Sequence, residues 1–479
     1  MENHMAILPE LSILTGVAAF FVLSLCKQLD FNQVKNTAVS IGFITFIAAL
    51  ISLRDEATLF FGSYEIDLYS QIFKLMICFG LSIVLVFGQN LKDIDESVRP
   101  EYYMFLFLSA LGLMMLVSSV ELIAIFVSLE LSSFAIYLLV PMRSDQKGLR
   151  IQMEAGIKYI LFGVMATGFM LFGMSYIFGL TGSTYLAEIM TGLQTAPQPA
   201  AIFAVIMVLA GFFFKLAVFP MHFWVPDIYE GASNETTGFI ATIPKLGAVA
   251  LLIRIMTLAT GETQFLIYLL MVLAVSSMFY GNLSALVQKD VKRMLGFSGI
   301  AHAGFILLGL ITMNVSGYST AIYYISGYVI MNLACFLVLC SVSREGENLA
   351  IEDLKGLHKR QPVLAFILAV GLFALAGIPP FVGFMGKFML LTLTLQAGAM
   401  SKIYLILIIL AAINTGIAIY YYLSVVRVAY TTDQENYPDV LVDGLTKTVG
   451  MALVLLIILM GALPSKLVAI ADAAVKTIM

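Results

Sequence analysis

The chain has 479 residues, 61% of them hydrophobic and 12% charged, with a formal net charge of −4. Soluble domains carry about 25% charged residues, so this composition excludes an ordinary soluble enzyme and marks a polytopic, all-α membrane protein. With so few charges, where they fall matters more than their sum, and no nucleic-acid partner is expected.

Fourteen spans are predicted, near 6–26, 35–53, 69–89, 102–119, 121–141, 155–180, 199–220, 236–257, 264–286, 292–313, 318–341, 363–394, 401–429 and 446–469. The first has acidic Glu2 and Glu10 where a signal peptide would carry basic residues, so it reads as a retained helix. The third holds Lys74 close to its start, a position from which a lysine can snorkel to the interface. The fourth and fifth are separated only by Ser119-Val120-Glu121 and must form a tight hairpin. Glu121 reads as an interfacial helix-start residue, whereas Glu130 lies in the middle of the fifth span. Nine residues at 100° each put the two on opposite faces, so they do not pair. The sixth span carries Lys158 three or four residues in, compatible with either snorkelling or a relay.

The seventh and eighth spans are the most informative. They read Gly211-Phe-Phe-Phe-Lys215-Leu-Ala-Val-Phe-Pro220-Met-His222-Phe-Trp224, then Ala241-Thr-Ile-Pro244-Lys245. Pro220 lacks an N–H and clashes with the carbonyl of Leu216, which predicts a helix break one residue after Lys215. Pro244 is expected to loosen the turn before Lys245 in the same way. His222 follows the break, either holding freed carbonyls or acting as a relay. In the tenth span His302 sits among small residues that leave room for water, and it reads as a relay group. Tyr323, Tyr324 and Tyr328 in the eleventh read as packing. The twelfth span is too long for one straight crossing and contains Gly377-Ile378-Pro379-Pro380 ahead of Lys387, which predicts a second break. The four cysteines, Cys26, Cys78, Cys335 and Cys340, form no C-x-x-C pair and read as small core residues.

A lysine at the bilayer centre costs about 2.5–3.5 kcal/mol on insertion scales. Intramembrane ionisable residues therefore default to a functional reading, usually proton or ion movement. A lone glutamate in hydrocarbon is protonated and a lone lysine neutral, but brought together they restore each other's charge. Glu130 with a lysine from another helix is such a switchable pair. Prolines beside buried lysines free backbone carbonyls that can help to solvate a charge.

Orientation follows from basic residues. Outside the five intramembrane lysines, 16 lysines and arginines fall in odd-numbered loops and 5 on the other side. Odd loops are therefore expected to face the cytoplasm and both termini the opposite side. Broken spans seven and twelve are five apart, and so are spans five and ten. An odd offset inverts topology, which predicts two inverted five-helix repeats, helices 4–8 and 9–13. The expected divisions are 1–100 (helices 1–3), 101–260 (helices 4–8), 261–430 (helices 9–13) and 431–479 (helix 14). No G-x-G-x-x-G or Walker A run occurs, so the driving energy must come from partners or a gradient.

The residues from Lys215 to Arg254, with Pro220-Met-His222-Phe-Trp224-Val-Pro226-Asp227-Ile-Tyr229-Glu230-Gly231 and Pro244-Lys245, resemble the antiporter-like membrane subunits of respiratory complex I. So do Ser128-Leu-Glu130-Leu-Ser132, Lys292-Arg293-Met-Leu-Gly296-Phe-Ser298 with His302, and Ala376-Gly377-Ile-Pro379 with Gly383-Phe-Met-Gly386-Lys387. Lysine at 387 and the Pro-Asp-Ile-Tyr-Glu-Gly run are similar to the N-type subunit. The stretch Gly231-Ala-Ser-Asn-Glu-Thr departs from the alanine-proline pair usual there. The resemblance implies a proton-translocating subunit of a bacterial-type inner-membrane NADH:quinone oxidoreductase with no redox centre of its own. NADH, FMN, iron–sulfur clusters and quinone are expected in partner subunits, and membrane lipids and other antiporter-like subunits as neighbours. It also implies Glu130 and Lys215 as a modulating ion pair, Lys245 as central relay, Lys387 as terminal relay, and Lys158 and His302 as support. The alternative is an antiporter-like subunit of a multisubunit cation/proton antiporter or a membrane-bound hydrogenase.

Overall fold

The computed structural model describes residues 4–25, 31–87, 91–144, 148, 150–258, 264–399, 401–431 and 440–479. Cys26 and Lys147 lie outside the described residues. The chain begins with α1 (Leu8–Ser24) and α2 (Phe31–Ile51), then a small hairpin of β1 (Ala57–Leu59) and β2 (Tyr64–Ile66). α3 (Leu68–Phe87), α4 (Arg99–Ser118), α5 (Leu122–Leu139), α6 (Ile151–Thr181), α7 (Leu186–Thr195), α8 (Gln198–Leu216), α9 (Trp224–Gly231) and α10 (Asn234–Leu258) follow. The rest comprises α11 (Gln264–Ala285), α12 (Val291–Ile311), α13 (Val315–Val342), α14 (Leu357–Arg360), α15 (Pro362–Ala376), α16 (Val382–Ala397), α17 (Lys402–Tyr430), α18 (Gly444–Ala462) and α19 (Pro464–Lys476).

Thirteen of these segments are long and apolar enough to cross a membrane, and the shorter α15 and α16 together supply a further crossing. The expected fourteen crossings are therefore present, with the seventh split into α8 and α9 and the twelfth into α15 and α16. The hairpin is the departure from an all-helical reading. β1 and β2 pair antiparallel, Ala57 with Ile66 and Leu59 with Tyr64. Tyr64 and Ile66 point inward while Glu65 points out, the alternation a half-buried strand requires. The α4–α5 hairpin is as tight as expected, and Glu121 caps α5 by accepting from the Ala124 amide at 2.8 Å.

Burial is graded across the bundle. α10, α12 and α13 are covered almost along their whole length, whereas α1, α2, α6 and α17 leave much of their apolar surface outward. Outward apolar side chains cost nothing against lipid tails. The covered helices are the ones that carry Lys245, His302 and the tyrosines of α13.

The two breaks are built alike. α8 ends at Leu216 and α15 at Ala376, each followed by a residue in the left-handed region, Ala217 (φ 64°) and Gly377 (φ 86°). The next amide then reaches five residues back, Val218 to the Phe213 carbonyl at 2.9 Å and Ile378 to the Phe373 carbonyl at 3.1 Å. This is the Schellman-type ending of a helix. A cis X–Pro bond follows in both, at Phe219–Pro220 and Pro379–Pro380. The expectation for Pro244 is corrected: α10 runs without interruption through it, because neighbouring helices enclose that segment on all sides.

Candidate functional site

Lys215 sits on the last turn of α8, 8% exposed, and its Nζ has no hydrogen-bond partner among the described residues. It lies 5.8 Å from the ring centre of Tyr137 and 6.0 Å from that of Phe214, a weak cation–π setting. It also lines a cavity of about 10 Å³ with Ser132 of α5 and Pro244 of α10. That is the space one water needs. Pro244 thus lines the cavity wall within a continuous helix.

The expected Glu130–Lys215 ion pair is not formed among the described residues. Glu130 instead accepts a hydrogen bond from the Thr167 hydroxyl of α6 at 2.7 Å. Both line an outward groove of about 520 Å³ between α5 and α6, otherwise walled by apolar side chains such as Phe126 and Phe134. Lys158 is also displaced from the buried row. It is 38% exposed and pairs with Glu154 and Asp227, both at 2.7 Å. Asp227 and Glu230 in turn pair with Arg293, which makes this a rim network.

The second half of the row is closely packed. Lys245 Nζ donates to the Tyr328 hydroxyl at 2.9 Å. The His302 ring lies 5.2 Å from the Tyr328 ring, its Nδ1 is 2.7 Å from the Tyr324 hydroxyl and its Nε2 is 3.2 Å from that of Tyr422. Tyr324 packs on Gly386, where an added Cβ would come within 2.5 Å of its ring, and Lys387 follows directly. Lys387 Nζ donates to the carbonyls of Leu375 and Ala376 at 3.0 and 3.2 Å, the last turn of α15 before its break. Lys245, Tyr328, His302, Tyr324 and Lys387 therefore lie close together in one buried row of titratable side chains.

Sequence reasoning read Tyr324 and Tyr328 as packing, and the structure corrects this. The readable signal was their four-residue spacing, which places both hydroxyls on one stripe of α13. Tyr323 points elsewhere and donates to the Met460 carbonyl at 2.8 Å. His222 is buried with neither ring nitrogen hydrogen-bonded among the described residues; it packs on Tyr280 with ring centres 4.1 Å apart. Among the described residues it makes no hydrogen bond to the carbonyls of the last turn of α8. That task falls to Trp224, whose Nε1 donates to the Phe214 carbonyl at 2.9 Å. Pro220 and Pro379 stand in the breaks as expected.

Lys74 is not a snorkeller. Its side chain is fully buried and meets Glu10 of α1 at 2.6 Å, and Glu10 also accepts from the Tyr64 hydroxyl at 2.6 Å. Arg254, near the end of the eighth predicted span, is buried on α10 and pairs with Asp67 at 2.8 Å.

Residues 119–417 match the family model described as NADH:quinone oxidoreductase/Mrp antiporter, TM. The chain is 48% identical over 470 residues to NADH-quinone oxidoreductase subunit N 2 of Opitutus terrae, covering 97% of this chain and 96% of that protein. It superposes on a chain of respiratory complex I from Thermus thermophilus with a TM-score of 0.82 and 29% identity, covering 96% of this chain and 98% of that one. A chain of the Mrp complex from Dietzia shares the fold (TM-score 0.85) at 18% identity, over 99% of this chain and 97% of that one. Breaks, buried lysines and these likenesses agree: the chain belongs to the NADH:quinone oxidoreductase/Mrp antiporter membrane family, as a subunit of the N type.

Proposed function

We propose that this chain carries protons across a bacterial inner membrane as one subunit of a proton-translocating NADH:quinone oxidoreductase. The observation that supports this most is the buried row from Lys245, bonded to Tyr328, past His302, bonded to Tyr324, to the neighbourhood of Lys387. Each member can hold or pass a proton, and each lies in the covered centre of the bundle.

In this reading Lys215 and Glu130 are the modulating pair, held apart in the arrangement described. Glu130 rests on Thr167, and Lys215 has only aromatic faces and a water-sized cavity. Closing the pair would favour the ammonium and opening it would favour proton release. The cavity leads from Lys215 to Pro244, one residue from Lys245, the central relay. His302 and the two phenols carry the proton onward to Lys387, the terminal relay. Lys158 supports the row only through its rim network. Redox chemistry with NADH, FMN, iron–sulfur clusters and quinone resides in partner subunits, and membrane lipids cover the outward helices. The 16-to-5 distribution of basic residues supports odd loops on the cytoplasmic side and both termini opposite.

The test is Lys215→Ala in the assembled complex reconstituted in vesicles. Quinone reduction should persist while proton translocation falls sharply. An assembled variant that translocates at the parental rate would sink the proposal.

A further inference from the structure

The row of relays is buried on all sides, so protons must reach it from a membrane face. α10 and α13 run antiparallel and offer a seam. At one level Lys245 bonds Tyr328. Two turns away Gly238 faces Phe336, whose Cβ would lie 3.2 Å from a Cβ built on the glycine. Lys245 to Gly238 is seven residues and Tyr328 to Phe336 is eight, so the helices keep step turn by turn. Asn332 then stands level with Thr242, and Cys340 level with Glu235. At that end of α13, Lys92 donates to the Cys340 carbonyl at 3.2 Å.

Two atoms on this seam lack partners. Glu235 is 4% exposed, and its Oε2 has no hydrogen bond among the described residues; the same holds for Asn332 Oδ1, 1% exposed residue-wide. A buried acceptor left so costs about 1–3 kcal/mol. At its outer end Glu235 meets a charged cluster on the basic face. Asp93 pairs with Arg143 at 2.9 Å, Lys292 donates to the Ala232 carbonyl at 2.8 Å, and the charges of Asp93, Lys92 and Lys292 all reach Glu235. Asp93 is tied to Arg143 by an ion pair, whereas no ion pair among the described residues holds Glu235. Arg143 also grips the Glu230 and Ala232 carbonyls, so the link into α10 is fixed.

We propose that Glu235 takes up the proton at the basic face and passes it along the α10–α13 seam, by Thr242 and Asn332, to Lys245. Uptake forms an O–H bond on the carboxylate. Transfer breaks that bond and forms an N–H bond on neutral Lys245, so charge is conserved at each step. The Phe336–Gly238 level is apolar and interrupts the seam, and Phe336 must turn for passage. The inference rests on the proton-translocation reading above.

The experiment compares Glu235→Gln, Glu235→Asp and Lys245→Ala in the assembled complex in vesicles, reading quinone reduction and proton uptake together. Glu235→Gln is expected to lose most proton uptake, and Glu235→Asp to recover a large part of it. Parental uptake in an assembled Glu235→Gln complex while Lys245→Ala has lost it overturns this inference alone. Parental uptake in both variants overturns the wider reading. If the glutamine variant does not assemble, infrared difference spectra of turnover decide. A buried carboxyl C=O band that shifts in Glu235→Asp supports the assignment, and an unshifted spectrum overturns it.

Discussion

The two broken helices share one backbone design and put it to different uses. Counting from the left-handed residue, ten positions on stands Asp227 in the first and Lys387 in the second. Lys387 turns back onto its own break and fills the Leu375 and Ala376 carbonyls. Asp227 turns outward to Lys158 and Arg293, while Trp224 takes the Phe214 carbonyl. Lys215, on the turn before the first break, has no hydrogen-bond partner among the described residues. One break holds a lysine on its backbone carbonyls, and beside the other a lysine faces aromatic rings and a water-sized cavity.

The largest test of this contrast is a pair of isosteric changes. Lys215→Met removes an ammonium with no partner, whereas Lys387→Met also strands two carbonyls at about 1–3 kcal/mol each. Lys215→Met should therefore be the more stable by about 2–6 kcal/mol, read as the difference in denaturation midpoint of the purified assemblies. Equal midpoints would remove the distinction between the sites. Next comes the phenol series. Tyr328→Phe deletes the acceptor of Lys245, a bond worth about 1.5–3 kcal/mol when charged, and should lower proton translocation. Tyr323→Phe loses a neutral bond of about 0.5–1.5 kcal/mol and should translocate as the parent does. Vesicle acidification measured on both decides whether α13 carries a path or only packing.

A smaller effect is expected at the left-handed positions. Gly377→Ala forces a Cβ into that region, at about 1–2 kcal/mol, and brings it 3.1 Å from the Lys387 Cδ. Ala217→Gly should be nearly neutral, because relief of the same strain is offset by about 0.5–1 kcal/mol of glycine's backbone entropy. Thermal midpoints check both. The smallest effect lies outside the two breaks, at Glu347. Burial alone would raise its carboxyl, but amides of Arg344 and Glu345 and the Ser343 hydroxyl outweigh this and hold it below the ordinary range. A depressed acid stabilises above its unfolded value and loses that contribution as pH falls through the folded one. Amide exchange of residues 343–347 should therefore quicken on acidification, and Glu347→Gln should abolish the pH dependence.

Much of this was legible because hydrocarbon is an unforgiving solvent. Apolar runs had to be spans, prolines at 220 and 379–380 had to end helices, and lysines at 215, 245 and 387 had to be enclosed. Lys74 failed that logic because snorkelling and pairing look alike in one dimension; only the approach of Glu10 across the fold separates them. Pro244 failed because enclosing helices, not local propensity, decide whether a proline kinks. The tyrosines failed because a phenol in a core is usually packing, and its hydroxyl's partner lies on another helix.

Sequence by itself determined the crossings, the positions of both breaks and which charges must be enclosed, since each follows from the cost of taking a polar group or an unpaired amide out of water. Tertiary structure alone decided partnership. Glu130 with Thr167, Lys245 with Tyr328 and Lys387 with the end of α15 are all contacts between separate elements. Such contacts are set by how helices stack, and residue order along any one helix does not encode them.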